Sequence, residues 1–265
     1  MTLIGSRPRL TLADRGRGRP VLFQHGLCGD AGQPEEVFPL DHFRCLTVEC
    51  RGHGASESGD VSAFGIATFA EDIAAILDSM RIAPLPIGGM SMGAAIALRL
   101  AVTRPDLVSA LILARPAWIA EPAPMNMQAN AGLGGLLAAH EADEARALFE
   151  LTPIARELAI AAPGNLASLR SFFARAPRAI TAELLVRISA DGPGVSLDDI
   201  RAIRVPTLVI GHGRDRVHPL ATAEALASLI PRALLAIIPS KADDLAGHKA
   251  QFRAAIHAFL EEHEQ

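Results

Sequence analysis

Leu85-Pro86-Ile87-Gly88-Gly89-Met90-Ser91-Met92-Gly93-Ala94-Ala95-Ile96-Ala97 is the stretch that decides how the rest of the chain reads. The apolar run Leu85 to Gly89 has the length of a buried strand, and Met92 to Thr103 is a helix of small residues that stops before Pro105. Between them, Gly89-Met90-Ser91-Met92-Gly93 carries the spacing G-x-S-x-G, and its place between strand and helix is what makes the spacing specific. So sharp a turn brings backbone against positions 89 and 93, which glycine accommodates. It holds the Ser91 hydroxyl above the sheet at a helix N-terminus, where N–H groups favour a developing negative charge. A Gly/Ser turn that merely joins strand to helix is the plainer reading, but the flanking elements favour a nucleophile at Ser91.

Upstream, Val21-Leu22-Phe23-Gln24-His25 follows Pro20 and stops at Gly26, as a buried strand does, and Phe43 to Glu49 is a second strand closed by Arg51-Gly52-His53-Gly54. Phe69, Ile73, Ile76 and Leu77 recur at helical spacing between Thr68 and Met80. Downstream, Leu107 to Ala114 is the next strand. Strands alternating with helices predict a mostly parallel sheet with right-handed crossovers. The rhythm then changes. From Trp118 to about Val195 there are only helical segments (Leu136 to Glu150, Ile154 to Ala162, Leu166 to Ala174), broken by Pro122, Pro124, Pro163-Gly164 and Gly192-Pro193-Gly194. Strand and helix resume with Thr207 to Ile210, Ala221 to Ile230, Ala233 to Ile238 and a last helix from Lys249 to Leu260. The expected organisation is a core of residues 1–117 and 197–265 with a helical cap, residues 118–196, inserted between two sheet segments.

Half of the 265 residues are apolar and a fifth are charged, which suits one large α/β domain with a deep core. A net charge of −4 without any basic run argues against nucleic acid as a partner. Cys28, Cys45 and Cys50 show no CxxC or Cys/His ligand spacing, so neither a metal site nor a disulfide framework is expected. Residues 1–10 lack an apolar stretch behind a basic start, and no apolar run is long enough to span a bilayer, so the reading is a cytoplasmic protein with no membrane partner. A small-molecule substrate is the expected partner, no cofactor is required, and a homodimer is left open.

Taken together and in order, His25-Gly26-Leu27, Arg51-Gly52-His53-Gly54-Ala55-Ser56, the turn at 89–93, Gly213-Arg214-Asp215 and Ala258-Phe259-Leu260 resemble the α/β-hydrolase superfamily, in its branch with a helical cap. The resemblance spans nearly the whole chain. It implies an oxyanion hole made by the backbone N–H groups of Leu27 and Met92, with His25 bracing the loop rather than acting as a base. It places the catalytic acid after a late strand, where Asp215 stands in the loop following Thr207 to Ile210. It also expects a histidine about five residues after the last strand, and Pro239-Ser240-Lys241-Ala242-Asp243-Asp244 offers none there. His248, in Gly247-His248, follows about five residues late, and extra loop residues would have to fold out to return it to Ser91. His248 is nonetheless the expected general base, because without it Ser91 has none. His218 lies too close to Asp215 in sequence and is expected only to line the loop. Trp118, at the entry to the cap, and Met90, beside the serine, are the expected substrate-contacting residues.

The leading expectation is therefore a serine hydrolase cleaving a carboxylic ester of a small or medium acyl substrate. Cleavage of a C–C bond or lactone, or acyl transfer, would use the same residues. A ligand-binding protein with an incomplete triad is the reading from another class.

Overall fold

The computed structural model describes residues 8–263, so most of the stretch read for a leader, residues 1–7, lies outside it. Seven strands form one sheet in the order β1-β3-β2-β4-β5-β6-β7. They are β1 (Leu12–Gly16), β2 (Arg19–Gln24), β3 (Phe43–Val48), β4 (Leu85–Met90), β5 (Val108–Ala114), β6 (Thr207–Gly211) and β7 (Ala233–Ile237). Only β1 runs antiparallel to its neighbour, with Leu12 opposite Val48; every other pairing is parallel. The sequence gives no sign of β1 because three of its five residues, Asp14 to Gly16, are exposed and charged or small.

β4 lies in the middle of the sheet, and all six of its residues are buried. Strands covered on both faces are read as continuous apolar runs, which is how Leu85-Pro86-Ile87 reads. On one face, α2 (Ile66–Met80), α3 (Met92–Thr103) and α10 (Leu220–Leu229) close over a core containing Leu22, Ile73, Ile87, Ile96 and Leu226. On the other, the short α1 (Gly32–Glu35) and the long α11 (Leu245–Glu262) cover Phe23, Ile112, Ile210, Phe252 and Phe259. The small side chains of α3, Ala94, Ala95, Ala97 and Ala101, are all buried, so this helix lies close beneath the strands it joins. That closeness fixes where its first residue, and hence Ser91, projects.

Between β5 and β6 the regular elements are all helices, among them α4 (Gln128–Ala139), α5 (Ala142–Glu150), α6 (Pro153–Ala161), α7 (Pro163–Ser171), α8 (Arg178–Ala190) and α9 (Leu197–Ala202). The expected single helix from Leu136 to Glu150 is two. His140 and Glu141 are extended, and Asp143 and Glu144 occupy the first turn of α5, where acidic groups favour a helix N-terminus. α6 begins with Thr152 accepting from the Ala155 N–H and Pro153 at its first position. α9 begins with a reciprocal Ser196–Asp199 capping box. Trp118 ties this helical layer to the sheet: its Nε1 donates to the Asp191 carbonyl (2.9 Å), while the Asp191 carboxylate accepts from the Ile66 N–H at the start of α2 (2.7 Å). Among the described residues, no helix is long and apolar enough to cross a membrane.

Candidate active site

The turn after β4 has the geometry its glycines imply. Ser91 adopts φ 55°, ψ −115°, a strained conformation for a residue with a side chain. A Cβ on Gly89 would lie 2.6 Å from the Gly93 carbonyl carbon, and one on Gly93 would lie 2.5 Å from the Gln24 carbonyl oxygen. Nothing but glycine fits either place. The Ser91 N–H donates to the Ala114 carbonyl at the end of β5 (3.0 Å), and its own carbonyl accepts from the Ala94 and Ala95 N–H groups of α3. Cys28, Ser91, Arg115 and Arg214 each have positive φ, at the loops that follow β2, β4, β5 and β6. Four of the six non-glycine residues with positive φ among the described residues thus lie along the C-terminal edge of the sheet, where open α/β sheets place their ligands; Arg81 and Ala123 lie elsewhere.

The partner of Ser91 is His218. The His218 Nε2 lies 2.8 Å from Ser91 Oγ, and its Nδ1 lies 3.0 and 3.1 Å from the two oxygens of Asp215. This corrects the expectation that His218 merely lines the loop. Asp215 Oδ1 accepts from the Val217 N–H (3.1 Å) and the His218 N–H (2.9 Å), which curls the chain tightly ahead of α10. That Asx-type turn folds the His218 ring back over the carboxylate, so three residues suffice to separate acid and imidazole. The legible signal was Asp215-Arg216-Val217-His218-Pro219, a turn-forming aspartate ahead of a helix.

His248 is not brought to Ser91. Its helix, α11, begins at Leu245, capped by Asp244 accepting from the Gly247 N–H (2.8 Å), four residues before the expected Lys249. Gly247-His248 thus lies inside the first helical turn rather than in a loop free to reach the serine. The His248 Nδ1 bonds the Pro239 carbonyl (2.8 Å), and its ring packs edge-on against His212 and Phe252. Burial lowers its pKa, against the opposing hydrogen bond to the Pro239 carbonyl, so it sits neutral within the wall.

Asp215 is held from several sides. Oδ2 accepts from Arg115 Nη2 (2.7 Å) and Nε (3.2 Å), and Oδ1 accepts from Asn165 Nδ2 (2.8 Å). Asn165 Oδ1 in turn accepts from the Arg216 N–H (2.7 Å), so α7 grips the loop at both ends of one amide. Neither Arg115 nor Asn165 was singled out by sequence, since an arginine after β5 and an asparagine in a helix have no motif. His212 Nε2 lies 3.4 Å from Oδ2 without hydrogen-bond geometry. Burial alone would raise the Asp215 carboxyl, but its electrostatic interactions and hydrogen bonds with His218 and Arg115 outweigh it and hold it well below the usual carboxylate range.

Burial lowers the pKa of His218, and Arg115 lowers it further, against the opposing pull of Asp215. The ring is therefore neutral near pH 7 and carries one proton. Arg115 Nη2 also lies 3.1 Å from His218 Nδ1. A bare Nδ1 accepting from Arg115 would put the proton on Nε2 and deny the serine a base. The two carboxylate oxygens facing Nδ1, with Arg115 already bound to one of them, favour the proton on Nδ1, leaving Nε2 as the acceptor for the Ser91 hydroxyl.

Neither the Leu27 nor the Met92 N–H has an acceptor among the described residues, while the amides around them do: Gly26 N–H donates to Gln33 Oε1 (2.8 Å) and Cys28 N–H to His53 Nε2 (3.0 Å). His25 braces the same loop, with Nδ1 on the Gly26 carbonyl and Nε2 accepting from the Cys50 N–H. Both rings are fully buried, and burial lowers both pKa values. Burial likewise pushes the Cys28 thiol up to about 12, which leaves it no nucleophile.

Above Ser91 lies a small pocket of about 100 Å³, walled by Leu27, Met90, Met127, Leu169, Phe172 and Val217 on its apolar sides. Its polar lining includes Gln33, Arg115, Asn130, Ser168 and Lys241. Met90 is thus where expected. Trp118 is not: it is 2% exposed, occupied with Asp191, and absent from the lining. Among the described residues, no cluster of three His, Cys, Asp or Glu side chains could hold a metal ion.

A family model described as alpha/beta hydrolase fold matches residues 19–253. Among relatives, the chain is 30% identical over 240 residues to a 2-hydroxymuconate semialdehyde hydrolase of Pseudomonas putida, covering 86% of this chain and 81% of that one. It is 40% identical over 109 residues to BpoC of Mycobacterium tuberculosis, whose name calls it a non-heme bromoperoxidase; that match spans only about two fifths of either chain (39% and 40%). In three dimensions it is similar to a thermophilic esterase from Thermogutta terrifontis, with TM-score 0.72 and 24% identity, over 97% of this chain and 95% of that one. At that identity the likeness is one of fold. The sheet, the strained turn at Ser91 and the extent of the family match make this chain a member of the alpha/beta hydrolase fold family.

Proposed function

We propose that this chain is a serine hydrolase that cleaves a carboxylic ester with a small or medium acyl group, using Ser91, His218 and Asp215. The observation that carries the reading is the 2.8 Å contact from His218 Nε2 to Ser91 Oγ, backed by Asp215 on the other ring nitrogen. Ser91 Oγ attacks the ester carbonyl as its proton passes to Nε2. Asp215 stabilises the imidazolium and keeps the ring oriented, and the Leu27 and Met92 N–H groups receive the carbonyl oxygen as it becomes negative. Collapse of the adduct breaks the ester C–O bond, and Nε2 returns its proton to the departing alcohol. A water, deprotonated by the same nitrogen, then attacks the acyl-enzyme and releases the acid and free Ser91.

Residues 118–196 act as a cap in this reading. Met127, Asn130, Asn165, Ser168, Leu169 and Phe172 reach the pocket from that segment, whereas Leu27, Met90 and Val217 come from the core. Lactone and C–C substrates would meet the same three groups. The modest apolar walls and the paired serine and imidazole support ester hydrolysis over a binding protein that merely keeps the fold.

A fluorophosphonate probe tests the reading, since it labels only an activated serine. The wild type is expected to label stoichiometrically and to hydrolyse p-nitrophenyl acetate or butyrate, and Ser91→Ala to do neither. Absence of labelling in the wild type would contradict it.

A further inference from the structure

Lys241 occupies the loop after β7 in which the sequence offers no histidine, and it reaches the same pocket as Ser91. Its stem lies across Gly164, where a Cβ would come within 3.0 Å of Lys241 Cε. Its Nζ donates to Ser168 Oγ (3.1 Å), which itself donates to the Gly164 carbonyl. The ammonium is half-buried, and none of the carboxylates among the described residues forms an ion pair with it. Its neighbours in the loop and helix differ: Asp243 pairs with Arg214, and Lys249 with Glu36. Desolvating an unpaired ammonium is unfavourable, and burial, then Arg115, lowers its pKa accordingly.

The remaining charges do not relieve it. Arg115 and Asp215 neutralise one another across 2.7 Å, and His218 is neutral, so Lys241 leaves the pocket wall with one positive charge in excess. A half-buried ammonium without a carboxylate partner, in the wall of the pocket that holds the reacting hydroxyl, is the lining expected of a subsite for an anionic group.

We infer that Lys241 binds a free carboxylate on the substrate, so that the preferred ester is a monoester of a short dicarboxylic acid. The inference rests on Ser91 facing that pocket as the reacting group, and it adds the substrate's charge to the proposed function. Two of the three ammonium protons remain for the carboxylate once Ser168 has taken one. The volume above Ser91, about 100 Å³, confines the acid to a short chain.

Monoethyl succinate and ethyl levulinate test this, because they are close in shape and differ in the charge at the far end. Ethanol release by the wild type is expected to show kcat/KM at least about tenfold higher for monoethyl succinate, the scale of one charged hydrogen bond. Lys241→Met should erase that preference and Lys241→Arg should retain it, with thermal unfolding confirming that both fold. A preference absent from the wild type, or one that survives in Lys241→Met, overturns the inference. Calorimetric titration of Ser91→Ala, with and without Lys241→Met, separates this inference from the nucleophile reading. Tighter binding of monoethyl succinate that depends on Lys241 supports the subsite even if Ser91 proves inert. Equal binding of the two esters overturns it even if Ser91 proves active.

Discussion

In the proposed mechanism, Arg115 sets the working range of the base. It binds Asp215 through two nitrogens and stands 3.1 Å from His218 Nδ1, so it both draws on the carboxylate's charge and repels an imidazolium. The His218 pKa is lowered first by burial and then by Arg115, with Asp215 opposing. Activity needs the neutral ring. Protonation therefore extinguishes activity only below the ordinary histidine value, and the acid limb of kcat/KM in the wild type should fall below pH 6.5. Arg115→Gln removes one of the effects that lower it and leaves Asp215 free to favour the imidazolium, so that limb should move to higher pH. An unmoved limb, measured with a p-nitrophenyl ester from pH 4.5 to 8, would show that Arg115 does not tune the base. The position of this arginine was not legible in sequence: Arg115-Pro116 reads as the end of a strand, and only the sheet order brings it beside a residue a hundred positions later.

Among elements, the β4–α3 junction carries the most exacting requirement. Gly93 faces the Gln24 carbonyl across 2.5 Å from any added Cβ, and backbone on both sides leaves nothing to yield. Gly93→Ala should force β2 and α3 apart, cost at least about 1–3 kcal/mol as overpacking does, and reduce fluorophosphonate labelling by moving Ser91. Urea unfolding with an unchanged midpoint would refute the steric account. This junction was readable because its constraint is local: strand, turn and helix are contiguous, and glycine spacing records the contact. The Asp215–His218 turn is just as local, but nothing in its spacing marks a base, and the resemblance places that histidine in a separate loop after the last strand. The start of α11 was misjudged for a different reason. Asp244 caps it, but the Asp243-Asp244 pair beside Ala246-Gly247 reads equally as loop, and the placement of His248 followed from that.

At the scale of the whole molecule, the site stands on a set of buried neutral histidines. His25, His53, His212 and His248 are buried and His218 is half-buried, and burial is the largest cause of lowered pKa in all five. In the unfolded chain these rings take up protons near pH 6.5, whereas in the folded one they do so only at lower pH. Their contribution is thus complete above pH 6.5 and is lost as pH falls from there through the folded values, by up to about 1.4 kcal/mol per pH unit for each ring. Asp215 acts in the same direction at lower pH still, its depressed pKa giving stability that disappears as the carboxylate protonates. Thermal unfolding should accordingly show a midpoint that drops between pH 6.5 and pH 5; a flat profile there would mean that these rings are not held neutral. The mostly parallel sheet and the helical segment inside it followed from the alternation of apolar runs and the proline and glycine breaks; the strand order did not. Which of nine histidines meets the serine did not, because that depends on how a turn and a helix start are capped. In the proposed mechanism Asp215 and His218 supply acid and base from one loop, and His248 belongs to the wall. Turnover of p-nitrophenyl butyrate by His218→Ala and His248→Ala separates the two histidines. The expected kcat is lowered about a thousandfold or more in His218→Ala and stays within a few-fold of wild type in His248→Ala. The reverse pattern, activity kept without His218 and lost without His248, would contradict that mechanism.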